Sequence, residues 1–367
     1  MYMLRNRTIF LISPEAWDFI FVSKHHYAIE LAARGNKVFF INPPKLDVPG
    51  GMIISPVPGQ TGLHVVDYRT PVRGVRFLPT FLMRWVDRRL LNKVERLANV
   101  RFDVIWSFEN SRFFDLRFAG KEVTKIYFQV DEDQAFHPVT ASRTADCVLA
   151  INHQILDMIG PNNKRSYLIP HSFQGNLSEE SAKVLSGEYT YTRSAGPLKA
   201  YYVGNLDHGH IDIDLFEKLI AQNTEVNFKL VGPYDHSKAF YNRISRFPNV
   251  VFEGKVPFQK IPDLLSESDV LIIVYDDRFT QSSHKLLEYL ASGKAIVSTY
   301  MKEYDVENPL IFMGRDPIEY LQIFQQVISQ IENKNASDLM SRRIRFALDH
   351  TYARQLDRIE SMIIQPN

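Results

Sequence analysis

The sequence predicts an α/β protein of two Rossmann-like, doubly wound parallel-sheet domains facing one cleft, and three observations predict it. At 367 residues the chain is too long for one average domain. Short runs rich in Val, Ile, Phe and Tyr alternate with longer helical patterns, the rhythm of strands joined by crossover helices. That rhythm fades once, between residues 173 and 197, into Ser, Glu, Gly and Thr, the pattern of a linker.

In the first domain, residues 1–172, strands are expected at 8–13, 37–41, 63–67, 103–107, 125–130, 147–151 and 167–170. The opening MYMLRNRTIFLISPE is too short in its apolar run for a signal peptide and is taken as the first strand. The second domain, residues 198–335, repeats the rhythm with strands at 199–203, 227–231, 250–253, 270–275 and 295–299. Its helices are expected at 213–222, 259–267 and 284–292. Residues 336–367 form a long amphipathic helix that packs back towards the first domain. Open parallel sheets bind ligands beyond the carboxyl ends of their strands, so the loops that follow the strands are where chemistry is sought.

Several function classes are excluded early. Apolar residues make up 45% and charged residues 23%, the balance of a folded globular protein. The formal net charge is +1, which gives no general electrostatic footprint for nucleic acid. Cys147 is the only cysteine, so no internal disulfide forms and a reducing, cytoplasmic home is expected. No apolar run approaches the roughly 18 residues of a membrane span, which leaves peripheral contact with the membrane's inner face at most. After the first strand, ISPEAW stands where a dehydrogenase would carry a Gly-rich dinucleotide fingerprint.

The most informative stretch is SDVLIIVYDDRFTQSSHKLLEYLASGKAIVST, residues 268–299. A buried strand ends at Tyr275, a polar loop follows, and a helix begins near Ser283 with Ser282 or Ser283 as its N-cap and His284 in its first turn. A helix start binds anions through its free N–H groups, and Lys285 adds a full charge in the first turn. Glu288 lies at i+3 from Lys285, placed to accept ribose hydroxyls. The same spacing also fits an ordinary surface ion pair on an amphipathic helix.

SHKLLEYLASGK followed by AIVST resembles the donor-site helix of retaining GT-B glycosyltransferases of family 4 and their relatives. It is also similar to bacterial exopolysaccharide and teichuronic-acid transferases, and more loosely to the glucuronosyltransferase of xanthan assembly. In that family two glutamates flank seven residues; Glu288 matches the second, and Thr280 stands at the first, which leaves retention or inversion open. KAYYVGNLDHGHIDID, residues 199–214, resembles the strand and glycine loop that open the donor domain, with Gly204 and Asn205 at the phosphates. Where many members carry Arg and Lys in this loop, this chain has His208 and His210. FKLVGP, residues 228–233, and NVVFEGKVPFQKIP, residues 249–262, resemble the strand edges that read the base, with backbone at Lys255 and Val256; GKVP equally fits a plain turn into a helix. FVSKHHYAIELAARGNKVFFINPP, residues 21–44, resembles the family's first helix and second strand.

In the first domain Asp131 follows the strand KIYFQV, at the end where relatives place a catalytic or positioning Asp or His. A carboxylate there takes a proton from the acceptor hydroxyl or orients it. Two other roles fit Asp131, Glu132 and Asp133: caps for the next segment, or an Asp-x-Asp metal site of the other glycosyltransferase fold. The donor-helix resemblance favours a metal-free site without a cofactor beyond the co-substrate. His137 is a second candidate for the acceptor side. Residues 73–98 interleave Arg84, Arg88, Arg89, Lys93 and Arg96 with Phe81, Leu82 and Trp85. This suits an anionic membrane, or a helix packed on its own sheet with a solvated basic face.

The resemblance implies transfer of a sugar from a nucleotide-diphosphate-sugar donor to a glycan or lipid-linked acceptor, in bacterial surface polysaccharide synthesis. A sugar-nucleotide epimerase of the same fold, and a catalytically silent subunit that binds nucleotide or glycan, are the other two classes the sequence allows.

Overall fold

The computed structural model of the protein describes residues 4–19, 21–70, 78–132, 134, 136–276, 284–304 and 309–364. The chain forms two compact units, one of residues 1–170 with 352–367 and one of residues 171–351.

The first unit carries β1 (Thr8–Ile12), α1 (Ser23–Ala33), β2 (Lys37–Ile41), β3 (Met52–Pro56), β4 (Leu63–Tyr68), α2 (Thr80–Ala98), β5 (Val104–Ser107), β6 (Thr124–Gln129), α3 (Pro138–Thr144), β7 (Cys147–Ala150), α4 (His153–Ile159) and β8 (Ser166–Leu168). The strand order is β3-β4-β2-β1-β5-β6-β7-β8. Only the edge pair β3–β4 is antiparallel. Helices cover both faces of such a sheet, which is why β5 and β7 are buried at every residue and read as unbroken apolar runs.

The second unit carries α5 (Glu179–Ser186), β9 (Leu198–Val203), α6 (Ile213–Ala221), β10 (Val226–Val231), α7 (Ala239–Ile244), β11 (Val250–Gly254), α8 (Ile261–Ser266), β12 (Val270–Ile273), α9 (His284–Ser292), β13 (Ala295–Thr299), β14 (Phe312–Gly314), α10 (Pro317–Ser329), α11 (Ile331–Lys334) and α12 (Ser337–Leu348). Its sheet is parallel throughout, in the order β11-β10-β9-β12-β13-β14. Counted from its own first strand that is 3-2-1-4-5-6, the doubly wound order whose direction reverses between β9 and β12. The loops leaving those two strands therefore diverge and open a crevice.

The structure departs from the sequence expectations in three places. Residues 173–197 are part of the second unit and hold α5. Ser178 caps that helix by accepting from the Ser181 N–H, Gly187 ends it at φ 79°, and Phe173, Val184 and Tyr191 enter the core. Its inward face is partly serine: the Ser178 hydroxyl bonds those of Ser181 and, from α8, Ser266, so no apolar period marks it. The expected single helix of residues 336–364 is two. α12 stays in the second unit, where buried Arg343 donates to the carbonyls of Leu310, Gly293 and Lys334. The break falls where the Phe173 N–H takes the His350 carbonyl, and α13 (Tyr352–Ile364) follows. α13 belongs to the first unit: Leu356, Ile359 and Ile363 are buried in its core, and the Tyr352 ring lies 4.9 Å from Tyr27. Burial of each such aliphatic side chain contributes about 1.5–3 kcal/mol. The third departure is that β3, β14, α7, α10 and α11 have no counterpart among the expected elements.

Candidate active site

At the reversal point of the second unit, three glycines bring three strand ends together. The Gly204 N–H bonds the Val231 carbonyl at 2.8 Å, and the Gly232 N–H bonds the Gly254 carbonyl at 2.8 Å. Both lie in the left-handed half of backbone space, Gly204 at φ 152° and Gly232 at φ 138°, where L side chains are strained. A Cβ on Gly232 would overlap the Gly204 carbonyl oxygen, so the loops after β9 and β10 touch backbone to backbone.

Beneath Gly204 sits Lys285, from the first turn of α9. Its Nζ donates to the Tyr275 hydroxyl at 2.9 Å and the Tyr202 hydroxyl at 3.1 Å, and lies 4.2 Å from the centre of the Tyr202 ring. A Cβ on Gly204 would overlap that ammonium. Lys285 is 9% exposed, an unusual place for a lysine. Phenol oxygens and a ring face solvate the charge there without neutralising it. Burial pushes the Tyr202 phenol up, with Lys285 opposing, so it remains a neutral dipole.

Around this ammonium the β9–α6 loop places His208 5.3 Å from His210 and 5.7 Å from Tyr275, ring to ring. Burial, then His210 and Lys285, hold the His208 imidazole below its ordinary value, against Asp276. Asn205 spends its side chain locally, accepting from the Asp207 N–H at 3.0 Å. Lys255 is exposed and Val256 half-buried just past β11, next to the Gly232–Gly254 bond.

One turn along α9, half-buried Glu288 lines a cavity of about 20 Å³ with Phe173, Asn176 and Phe258. Loss of hydration raises its carboxyl to about 7, although the Lys285 charge pulls the other way. The surface-pair alternative fails here, since the Lys285 ammonium bonds two buried phenols. Ser282, Ser283 and Thr280 lie outside the described residues, as does the His284 side chain; His284 itself opens α9.

In the first unit Asp131 follows β6 and accepts from Lys24 Nζ at 2.9 Å. Lys24, in the first turn of α1, is 3% exposed and also bonds Glu15 at 3.1 Å, whereas about half of the Asp131 side chain reaches solvent. Asp131 does not cap α3, which starts at Pro138 with His137 as N-cap and no side-chain bond; the His137 ring stacks on Phe114 at 3.9 Å. Glu132 turns elsewhere, accepting from Asn152 and Gln154. Asp133 lies outside the described residues.

Residues 198–330 match the family model described as Glycosyl transferases group 1. The whole chain superposes on solved structures. HepE from Anabaena in complex with UDP is 12% identical, with 97% of this chain and 99% of that one covered and a TM-score of 0.65. A glycosyltransferase from Rickettsia africae is 12% identical, with 98% and 99% covered and a TM-score of 0.66. A UDP-forming trehalose-phosphate synthase from Burkholderia xenovorans is 12% identical, with 97% and 98% covered and a TM-score of 0.64. No curated protein matches the sequence. The chain has the GT-B fold, and the segment that matches the family model lies within its second unit.

Within that unit the structure brings Gly204, Lys285 and the backbone before Lys255 to one crevice, with Glu288 one turn away. Sequence reasoning missed Tyr202 and Tyr275, and took Gly232 only as part of a base-reading edge. Tyr202 and Tyr275 each stand at or just past the end of a buried apolar run, where a hydroxyl needs a reason to be. Gly232 follows β10 as Gly204 follows β9. Lys24, the partner of Asp131, carried no local signal, because 107 residues separate them.

Proposed function

We propose that this chain moves a sugar from a nucleoside-diphosphate sugar to a hydroxyl of a glycan or lipid-linked acceptor, in the assembly of a bacterial surface polysaccharide. The observation that carries it is the Lys285 ammonium under Gly204, at the start of α9 and at the reversal point of the second unit. As the bond from sugar to diphosphate breaks, negative charge grows on the leaving phosphate. A fixed ammonium and the N–H groups of a helix start stabilise that charge without reorganising. Gly204 lets a phosphate approach the backbone, and Glu288 takes the ribose hydroxyls. HepE with UDP and the UDP-forming synthase, which share this fold, support a nucleoside diphosphate as the leaving group.

On the acceptor side, Asp131 holds the attacking hydroxyl, with Lys24 fixing the carboxylate's position. α2 adds a membrane contact: Phe81 and Trp85 are 62% and 52% exposed beside Arg84 and Arg88. Among the described residues no helix is long and apolar enough to cross a membrane.

The test is to incubate the protein with nucleotide-sugars and a lipid-linked saccharide extract and to follow nucleoside diphosphate release together with acceptor mass. Release with a matching mass gain is expected, and loss of both in Lys285→Ala. Interconversion of nucleotide-sugars without release would replace transfer by epimerisation. Nucleotide binding with neither product would replace it by a silent subunit.

A further inference from the structure

The first unit contains a cavity of about 990 Å³ that the donor chemistry does not use. It lies between one face of α2, the β3–β4 edge and the loops leaving β1 and β2. The α2 face is Leu82, Met83, Val86 and Leu90, in helical spacing, with Leu78 and Met52 completing an apolar wall. Such a volume lies at the upper end of pockets that enclose a small-molecule ligand.

The charges around that wall are unequal. Arg69, Arg89, Lys93 and Arg112 line the cavity, against Asp87 and Glu109. Glu109 is already committed, pairing with Arg112 at 3.4 Å and accepting from the Ser111 N–H at 2.6 Å. Arg112 forms the floor: its guanidinium donates to the Ser13 and Asn42 carbonyls and to the Tyr68 hydroxyl. Arg89 lies 3.7 Å over the Trp85 ring, and Lys93 reaches only the Gly50 carbonyl, at 3.4 Å. Arg69, Arg89 and Lys93 are thus cations that no carboxylate claims among the described contacts, grouped along one apolar wall.

We propose that this cavity binds a lipid phosphate, its apolar chain along Leu82, Val86 and Leu90 and its phosphoryl group at Arg69, Arg89 and Lys93. A bare saccharide fits less well, because its hydroxyls would be stripped of water against a wall with few polar partners. A neutral lipid would leave the grouped cations without purpose. The ligand's role as acceptor rests on the transferase reading; its binding does not.

Dodecyl phosphate, below its micelle concentration, serves as the probe in calorimetry on the full chain, with dodecyl maltoside and inorganic phosphate as controls. Dodecyl phosphate is expected to bind and both controls to bind far more weakly. Leu82→Asp, at a position 38% exposed and so tolerant of change, should weaken binding about tenfold through lost apolar contact. The double variant Arg69→Gln with Arg89→Gln should weaken it severalfold, and more so at low salt. Equal binding of dodecyl maltoside, full competition by inorganic phosphate, or parental affinity in Leu82→Asp would each overturn the proposal. Binding of uridine diphosphate and guanosine diphosphate, measured on the same samples, separates the failures. If either binds while dodecyl phosphate does not, this inference alone falls; if neither binds, the transferase reading falls.

Discussion

Glu288 puts function and stability in opposition, and Glu288→Gln separates them. Burial raises the carboxyl from 4.5 to about 7. A carboxyl with a raised value binds its proton more tightly folded than unfolded. Its contribution to stability is therefore complete below pH 4.5 and lost as the pH rises through about 7. At about 1.4 kcal/mol per pH unit, the ionised form costs the unliganded fold about 3 kcal/mol above pH 7. Gln keeps the shape and removes the titration. Without ligand, the variant should therefore gain on the parent from pH 5 to pH 8, by several degrees in melting temperature. With a saturating nucleoside diphosphate most of that gain at pH 8 should disappear, because the ribose loses a charged acceptor worth about 1.5–3 kcal/mol. Scanning calorimetry at pH 5, 6, 7 and 8, with and without ligand, reads both effects. A difference between parent and variant that is the same at pH 5 and pH 8 would refute the buried-carboxylate reasoning. Unchanged ligand stabilisation would refute the ribose contact.

The remaining predictions follow from single contacts. Gly232→Ala drives a Cβ into the Gly204 carbonyl at a strained φ, so it should destabilise the second unit by at least about 2 kcal/mol in urea unfolding; a neutral result would contradict the backbone contact. Asp131→Asn should lower transfer by about 10²- to 10⁴-fold while nucleoside diphosphate affinity stays parental; near-parental transfer by folded variant would remove its role. Lys24→Met removes the buried cation between Glu15 and Asp131 and should lower transfer without changing donor affinity; parental kcat and KM would show that the ion pair is structural only.

Much of the fold was legible because parallel strands buried on both faces announce themselves as apolar runs. β1, β2, β5 to β7, β9, β10, β12 and β13 all fall within a residue or two of expectation, as does α9. What stayed hidden had weak periodicity or distant partners. α5 buries serines, β14 is three residues long, and the break before α13 is set by a backbone bond from Phe173. At the site, Lys285 and Gly204 were visible because a charge in a first turn and a glycine after a strand each break a local rule. Their partners were not. Tyr202 and Lys285 are 83 residues apart, and the Lys24–Asp131 pair spans 107, so only the folded sheet brings them together.

The central claim is that Lys285 is there for a diphosphate, and paired titrations test it most directly. Uridine diphosphate and uridine, with guanosine diphosphate and guanosine in parallel, are titrated into the parent and Lys285→Ala. For the base that binds, the parent should prefer the diphosphate over its nucleoside, and Lys285→Ala should cut that preference by about tenfold to a hundredfold, leaving nucleoside affinity nearly unchanged. An undiminished preference for the diphosphate in Lys285→Ala would place the phosphates elsewhere and contradict the account.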